Sequence, residues 1–228
     1  MTTVRPALDA AASHLIAART EALSRSSGAF RNGHFGLKSG RHGDAYVEKF
    51  QVLQDPAATS ELCAFFAAHG QGGGETLVDL VAGPTTGGVI LAFETARQLG
   101  VRSMFAEEVL ADDGSTRREF RRGFAIEPGE RVLLVDDILT TGGSLQAMIP
   151  AVEVAGGEIV ECLVLVDRSG GRAALSSPTT GRRYPLRSLW QLDLPTYEPG
   201  PDTCPLCAQG VPLHTPGSSG TGAKPVAS

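Results

Sequence analysis

Residues 131–145 read RVLLVDDILTTGGSL. The run 132–135 is short, apolar and rich in β-branched residues, with no period-2 alternation, which suggests a strand buried on both faces. Two adjacent carboxylates, Asp136 and Asp137, close it. From Ser144 onward the residues have helical character, so 140–144 would form a loop feeding a helix N-terminus. Backbone N–H groups lack partners at such a place and the helix dipole is positive there, so it binds anions. The stretch therefore offers acceptors for hydroxyls at the strand end and donors for a phosphate just beyond. A sugar phosphate would use both.

The same alternation extends to either side. LVDLVAG (77–83) reads as a buried strand, PTTGGV as a glycine turn, and 90–99 as a helix ending at Gly100. Residues 101–106 give another strand, EEVLADDGSTRR an exposed loop, and 120–124 and 131–137 further strands. A helix over 144–155 is closed by Gly156-Gly157, and 158–167 is a strand. Upstream, a first helix spans roughly 8–23, and GAFRNGHFGLKSGRHGDAYVEKF supplies glycine turns, short strand-like pieces and a basic cluster. Asp55-Pro56 places an N-cap before a proline at the first helical position, starting a helix toward His69. The glycines of 70–74 break it. Strand alternating with helix at this pitch predicts an α/β fold, with a mostly parallel sheet covered on both faces. Ligands of such sheets sit beyond the carboxyl ends of the strands. Three strands end there in AGPTTGG, DDILTTGGS and DRSGG.

At 228 residues the chain fits one α/β domain with extensions. It is 42% hydrophobic and 20% charged, enough to bury a real core. The net charge of −5 gives no basic footprint for nucleic acid or an acidic membrane surface, so any anion site is local. No run reaches the roughly 18 apolar residues that a membrane span needs. The N-terminal apolar stretch is interrupted by His14 and Arg19 and reads as an amphipathic helix rather than a signal peptide. A cytoplasmic location is expected. Four cysteines, unevenly spread, do not make the disulfide scaffold of a secreted protein. The tail 215–228 is small and polar, and disorder is expected there.

A strand ending in Asp-Asp also occurs in phosphoacceptor receiver domains, but there the acids lie near the domain's beginning and no TTGGS follows. A nucleotide P-loop needs a lysine that this loop lacks. An acidic turn without a ligand is the plain alternative. The nine contiguous positions 136–144, with strand before and helix after, resemble the phosphoribosyl-pyrophosphate (PRPP) motif of the type I phosphoribosyltransferases. That resemblance implies their fold. A core over about 55–170 and a small hood, from about 28–50 and C-terminal elements, would form a single domain over 1–214. It also implies that Asp136 and Asp137 accept the ribose 2′- and 3′-hydroxyls and act in catalysis. The run from Ile138 and Leu139 through Thr140, Thr141, Gly142, Gly143 and Ser144 would cradle the 5′-phosphate.

Further segments are similar to the orotate phosphoribosyltransferases within that family: GHFGLKSGRHGDAYV (33–47), VAGPTTGGV (81–89), LVDRSGG (165–171) and LDLPTYEPGPDTCPLCAQGVPL (192–213). By that resemblance Lys38 reaches the phosphate or pyrophosphate, Thr85 and Thr86 lie in the pyrophosphate-side loop, and Tyr46 packs on the base. Thr140 touches orotate as well as PRPP, and Arg168 holds the orotate carboxylate, a task suited to a planar, bidentate guanidinium. The implied activity makes orotidine 5′-monophosphate and pyrophosphate from orotate and PRPP. It uses Mg²⁺ held mainly by PRPP, in a homodimer, with no nucleic-acid or membrane partner. Many of these enzymes carry a catalytic loop with lysines and a histidine, whereas 105–124 has neither. Glu107, Glu108, Asp112 and Asp113 suit a departing pyrophosphate poorly, so Arg117 and Arg118 are the expected catalytic cations. Arg121 and Arg122 are expected in a strand. Cys204 and Cys207 form a single C-x-x-C, a weak zinc candidate with His214 as a third ligand and a second pair from a dimer partner; a reduced structural turn is the plainer reading. Two other functions stay open. One is transfer to a different nucleobase, which would not need the cations Lys38, Arg41 and Arg168. The other is PRPP binding by a non-catalytic regulator.

Overall fold

The structure is a computed structural model that describes residues 10–37, 39–72, 75–111, 114–172 and 174–216. Lys38, Asp112, Asp113 and positions 217–228 of the expected tail lie outside the described residues. Helix α1 (Ala10–Ser26) runs three residues past its expected end, with Thr20 and Ser24 hydroxyls donating back to carbonyls four residues earlier. Strands β1 (Phe30–Gly36) and β2 (His42–Val47) pair as an antiparallel hairpin. A single turn, α2 (Phe50–Leu53), leads to Asp55, whose carboxylate accepts from the N–H of Ala57 at 2.9 Å and Ala58 at 3.3 Å. That cap, with proline following it, opens α3 (Pro56–His69) where the sequence predicts. The two-residue strands β3 (Gln71–Gly72) and β4 (Glu75–Thr76) follow.

Strand β5 (Leu80–Pro84) starts three residues later than the apolar run suggests, because Asp79 is held at the sheet rim by the Arg131 guanidinium at 2.6 and 2.9 Å. Helix α4 (Gly87–Leu99) ends at Gly100 in the left-handed region, φ 69°, the usual glycine stop. The largest departure comes next. Strands β6 (Arg102–Leu110) and β7 (Thr116–Phe120) form an antiparallel hairpin across a segment read as exposed loop, and the strand expected over 120–124 is a turn. Strand β8 (Arg131–Leu139), helix α5 (Gly143–Val154) and strand β9 (Glu158–Asp167) lie within two residues of expectation. Beyond them are β10 (Ala174–Ser176), β11 (Arg183–Gln191), β12 (Thr196–Tyr197), the turn α6 (Pro205–Ala208) and β13 (Leu213–His214).

Seven strands form the main sheet in the order β10-β11-β9-β8-β5-β6-β7, with the five inner strands parallel and both edges antiparallel. Both faces of β8 are buried, as its lack of alternation predicts. Leu133 and Val135 pack with Phe66 and Leu91 on one side, and Val132 and Leu134 with Met148 and Ile149 on the other. A second sheet, β12-β2-β1-β13, joins the N-terminal hairpin to the last described strands. No helix among the described residues is long and apolar enough to cross a membrane.

Candidate active site

Neighbouring side chains of a strand point to opposite faces, and this divides the two acids. Asp136 lines a cavity of about 400 Å³ together with Ile138, Leu139, Thr140, Thr141, Gly142, Gly143 and Ser144. Asp137 turns to the other face, where the Lys49 ammonium lies 2.7 Å from its Oδ2. Lys49 comes in outside the direction of a well-formed hydrogen bond, so the pair is mainly electrostatic. The Asp137 N–H donates to Asp136 Oδ1 at 2.8 Å, and the Ile138 N–H to Asp137 Oδ1 at 2.7 Å. Burial, and then the charge of Asp137, push Asp136 up to about 7; the N–H of Asp137, Lys49 and Arg118 pull the other way. Gly87 opens α4 directly over this pair. A Cβ there would stand 2.0 Å from Asp137 Oδ2, so only glycine lets the helix approach.

The loop beyond the acids is braced from outside the quoted motif. Gly142 takes a left-handed φ of 87° and α5 starts at Gly143, so the helix N-terminus opens on the cavity. Arg172 donates from Nη1 to the Thr141 carbonyl at 2.6 Å. Nothing in DRSGG pointed to it, because it is the next residue along.

Arg118 and Arg117 both reach the cavity rim from β7, but in opposite senses. The Arg118 side chain is 9% exposed and donates from Nη1 to Thr85 Oγ1 at 2.9 Å, with Glu108 at 3.3 Å. Arg117, 61% exposed, is paired with Glu119 at 2.5 Å. Thr86 is the residue before α4, and its carbonyl accepts from the Val89 N–H. The expected strand placement of Arg121 and Arg122 is wrong: both follow β7, and Arg122 sits at φ 59° in a turn with its guanidinium 2.7 Å from Glu107. Of the acids expected to suit pyrophosphate poorly, Glu107 pairs with Arg122 and Glu108 with Arg118, while Asp112 and Asp113 lie outside the described residues.

Arg168 follows β9, and its N–H donates to the Leu139 carbonyl at 2.8 Å, which ties it to the end of β8. Its Nε is buried with no hydrogen-bond partner among the described residues. Burial lowers its pKa, and interaction with Tyr46 acts in the opposite sense. Tyr46 is half-buried on β2, 5.6 Å between ring centroids from Phe35; burial and Glu48 raise its pKa while Lys49, Arg168 and Arg31 lower it. Neither residue lines the 400 Å³ cavity. Arg41 is committed elsewhere, donating to Thr196 Oγ1 and O at 2.8 Å each and pairing with Glu198. Lys49 was missed in the sequence because it stands in no motif; its place at the end of a basic, glycine-broken hairpin was the available signal. Cys204 and Cys207 do not meet His214, which is exposed on β13 against Phe35; they meet His34 and His42 of the same chain. The expected third ligand and the borrowed second pair are therefore both corrected.

Residues 53–182 match the phosphoribosyl transferase domain family. The orotate phosphoribosyltransferase of Caldicellulosiruptor saccharolyticus is 43% identical over 196 residues, 86% of this chain and 94% of that one. That of Desulforamulus reducens is 43% identical over 192 residues, 84% and 92% of the two chains. The crystal structure of orotate phosphoribosyltransferase from Aeropyrum pernix superposes with a TM-score of 0.59 at 25% identity, covering 76% of this chain and 93% of that one. A strand-end acid pair, a glycine-opened helix and an arginine whose buried Nε has no partner among the described residues accord with that likeness, and the chain belongs to the orotate phosphoribosyltransferases of the phosphoribosyltransferase family.

Proposed function

We propose that the chain transfers the 5-phosphoribosyl group of PRPP to N1 of orotate, in the making of pyrimidine nucleotides, through the cleft at the end of β8. The observation that carries the base assignment is Arg168, a half-buried guanidinium that interacts with Tyr46 and whose buried Nε–H has no partner among the described residues. A planar carboxylate on a flat base meets both needs, and uracil or a purine would leave the donor unpaired. Asp136 accepts the ribose hydroxyls, and 140–144 with the α5 N-terminus holds the 5′-phosphate. Asp137 positions Lys49 on the face toward the hood. Thr85, Thr86 and Arg118 face the pyrophosphate, a task in which Lys38 is expected to share.

The bond from C1′ to the pyrophosphate oxygen breaks with its electron pair leaving on pyrophosphate, and N1 of orotate bonds to C1′ from the opposite face as its proton passes to the departing pyrophosphate. Positive charge grows on the ribose ring between these events, and a carboxylate at Asp136 favours it. One oxygen of Asp136 is occupied by the Asp137 N–H and the side chain faces the cavity, which fits Mg²⁺ held chiefly by PRPP oxygens and water. When bound, the ion neutralises the leaving group. The reading includes a homodimer: Phe93, 64% exposed, and Ile90 on α4 line an apolar groove with Leu53 and Pro56, a face of the kind that oligomers cover. A cytoplasmic setting suits two soluble, charged substrates. Steady-state assay with PRPP and Mg²⁺ tests the proposal: pyrophosphate release should require orotate, and release with adenine or uracil but not orotate would overturn it.

A further inference from the structure

The C-x-x-C of the C-terminal segment has partners that no local motif announces. His34 on β1 and His42 on β2 bring their rings together 4.6 Å apart at the centroids, edge to face. Cys204 is the N-cap of the turn α6 and Cys207 lies within it, and the four ligand atoms lie within 4.8 Å of one another. His34, His42 and Cys204 are buried, at 2%, 8% and 0% exposure. Cys204 Sγ is 3.6 Å from His34 Nε2, and Cys207 Sγ is 3.7 Å from that atom and 3.3 Å from His42 Nδ1. Tetrahedral zinc, with bonds of about 2.0 Å to nitrogen and about 2.3 Å to sulfur, spaces its ligand atoms roughly 3.3–3.8 Å apart. The sulfur–nitrogen distances fall in that range. The two nitrogens, at 2.8 Å, are closer and would separate by a small rotation of the rings.

The outer contact is informative too. His34 Nδ1 lies 2.7 Å from the Val211 carbonyl, which can only accept, so Nδ1 carries the proton and Nε2 turns its lone pair toward the two sulfurs. A backbone carbonyl on the far nitrogen is what fixes the tautomer of metal-bound histidines. A histidine–histidine hydrogen bond would explain the two rings alone and leave the convergence of both thiols on the same point unexplained. We propose that His34, His42, Cys204 and Cys207 bind one structural Zn²⁺ per chain, fastening the C-terminal segment to the β1–β2 hairpin. Two thiolates balance the dication, so the buried cluster is neutral, and the soft sulfur pair favours zinc over Mg²⁺ or Ca²⁺. The four ligands close the coordination sphere. The ion therefore has a structural role, apart from any metal that accompanies PRPP.

The test uses the full chain, purified under reducing conditions, with metal content measured by mass spectrometry and Co²⁺ as a spectroscopic substitute. One zinc per chain is expected, together with the intense visible absorption of tetrahedral Co²⁺ and a sulfur-to-cobalt charge-transfer band. Cys207→Ser and His42→Ala should lose both signals, and His214→Ala should keep them. Chelation should lower the melting temperature of the wild type and leave that of Cys207→Ser unmoved. The wild-type cobalt spectrum needs no variant to fold. A reduced chain that takes up neither Zn²⁺ nor Co²⁺ at micromolar metal, a stoichiometry of one ion per two chains, or loss of metal in His214→Ala alone overturns the site.

Discussion

A guanidinium that burial discourages, with one N–H unmet, waits for an anion, and Arg168 is in that state. Losing a charged hydrogen-bond pair costs about 1.5–3 kcal/mol, roughly ten- to a hundredfold. Arg168→Ala should therefore raise the KM for orotate by that factor, with kcat and the KM for PRPP changed much less. Equal use of orotate and uracil by the wild type would remove the carboxylate from recognition. Asp136 is held in the opposite kind of tension. Its pKa is raised on folding, so its contribution to stability is complete below the unfolded value near 4 and is lost as pH rises through about 7. Asp136→Asn keeps the shape without the charge. The ligand-free variant should melt above wild type at about pH 8, and the gap should close toward pH 4. The same variant should use PRPP far less well. A wild type more stable than the variant at pH 8 would show that the carboxylate is already compensated.

Hairpin β6–β7 shows how one element assigns roles to adjacent residues. Its register sets Glu108 opposite Arg118 and Val109 opposite Arg117, so strand alternation turns Arg117 and Arg118 to opposite faces. Arg118 turns inward to Thr85, and Arg117 stays in solvent with Glu119. Arg118→Ala should lower kcat by about ten- to a hundredfold and PRPP binding less, since charge on pyrophosphate grows most in the transition state. Arg117→Ala should stay within about twofold. Single-turnover rates decide the matter, and equal losses in both variants would mean that the hairpin acts only as a screen of positive charge. The elements that carry local signals were legible: the uninterrupted aliphatics of β8, the Asp55-Pro56 cap, the Gly100 stop. Of this hairpin only the start of β6, within 101–106, was. Beyond Ala106 charged residues dominate the cross-strand pairs, β7 is a sheet edge, and apolar and polar residues do not alternate. The separation of Asp136 from Asp137 was available in the sequence, since it follows from strand geometry alone. The meeting of His34 with Cys204 was not, because 170 residues part them and only the completed second sheet brings them together.

Across the whole molecule, the exposed apolar face of α4 at Phe93 and Ile90 is continuous with Leu53 and Pro56. If the proposed homodimer forms through this face, the wild type should run as a dimer and Phe93→Asp as a monomer, read by light scattering after size exclusion. A monomeric wild type, or an unchanged mass in the variant, would remove this face from the proposal.

The return of the last strands to the first hairpin also sets a timetable. The β1–β2 hairpin leaves the ribosome early, yet β12 and β13, which flank it, are made some 150 residues later. At about 5–20 residues per second, the hairpin spends on the order of ten to thirty seconds without its neighbours. Every strand of the seven-stranded sheet is complete by Gln191, so the phosphate cradle can form while the hood is still open. A released chain ending at Leu192 should hold PRPP and fail to retain orotate, and equilibrium binding of the two labelled substrates to it would read the difference. The grip on the sugar would then come before the grip on the base, and birth order along the chain would repeat itself as order of competence.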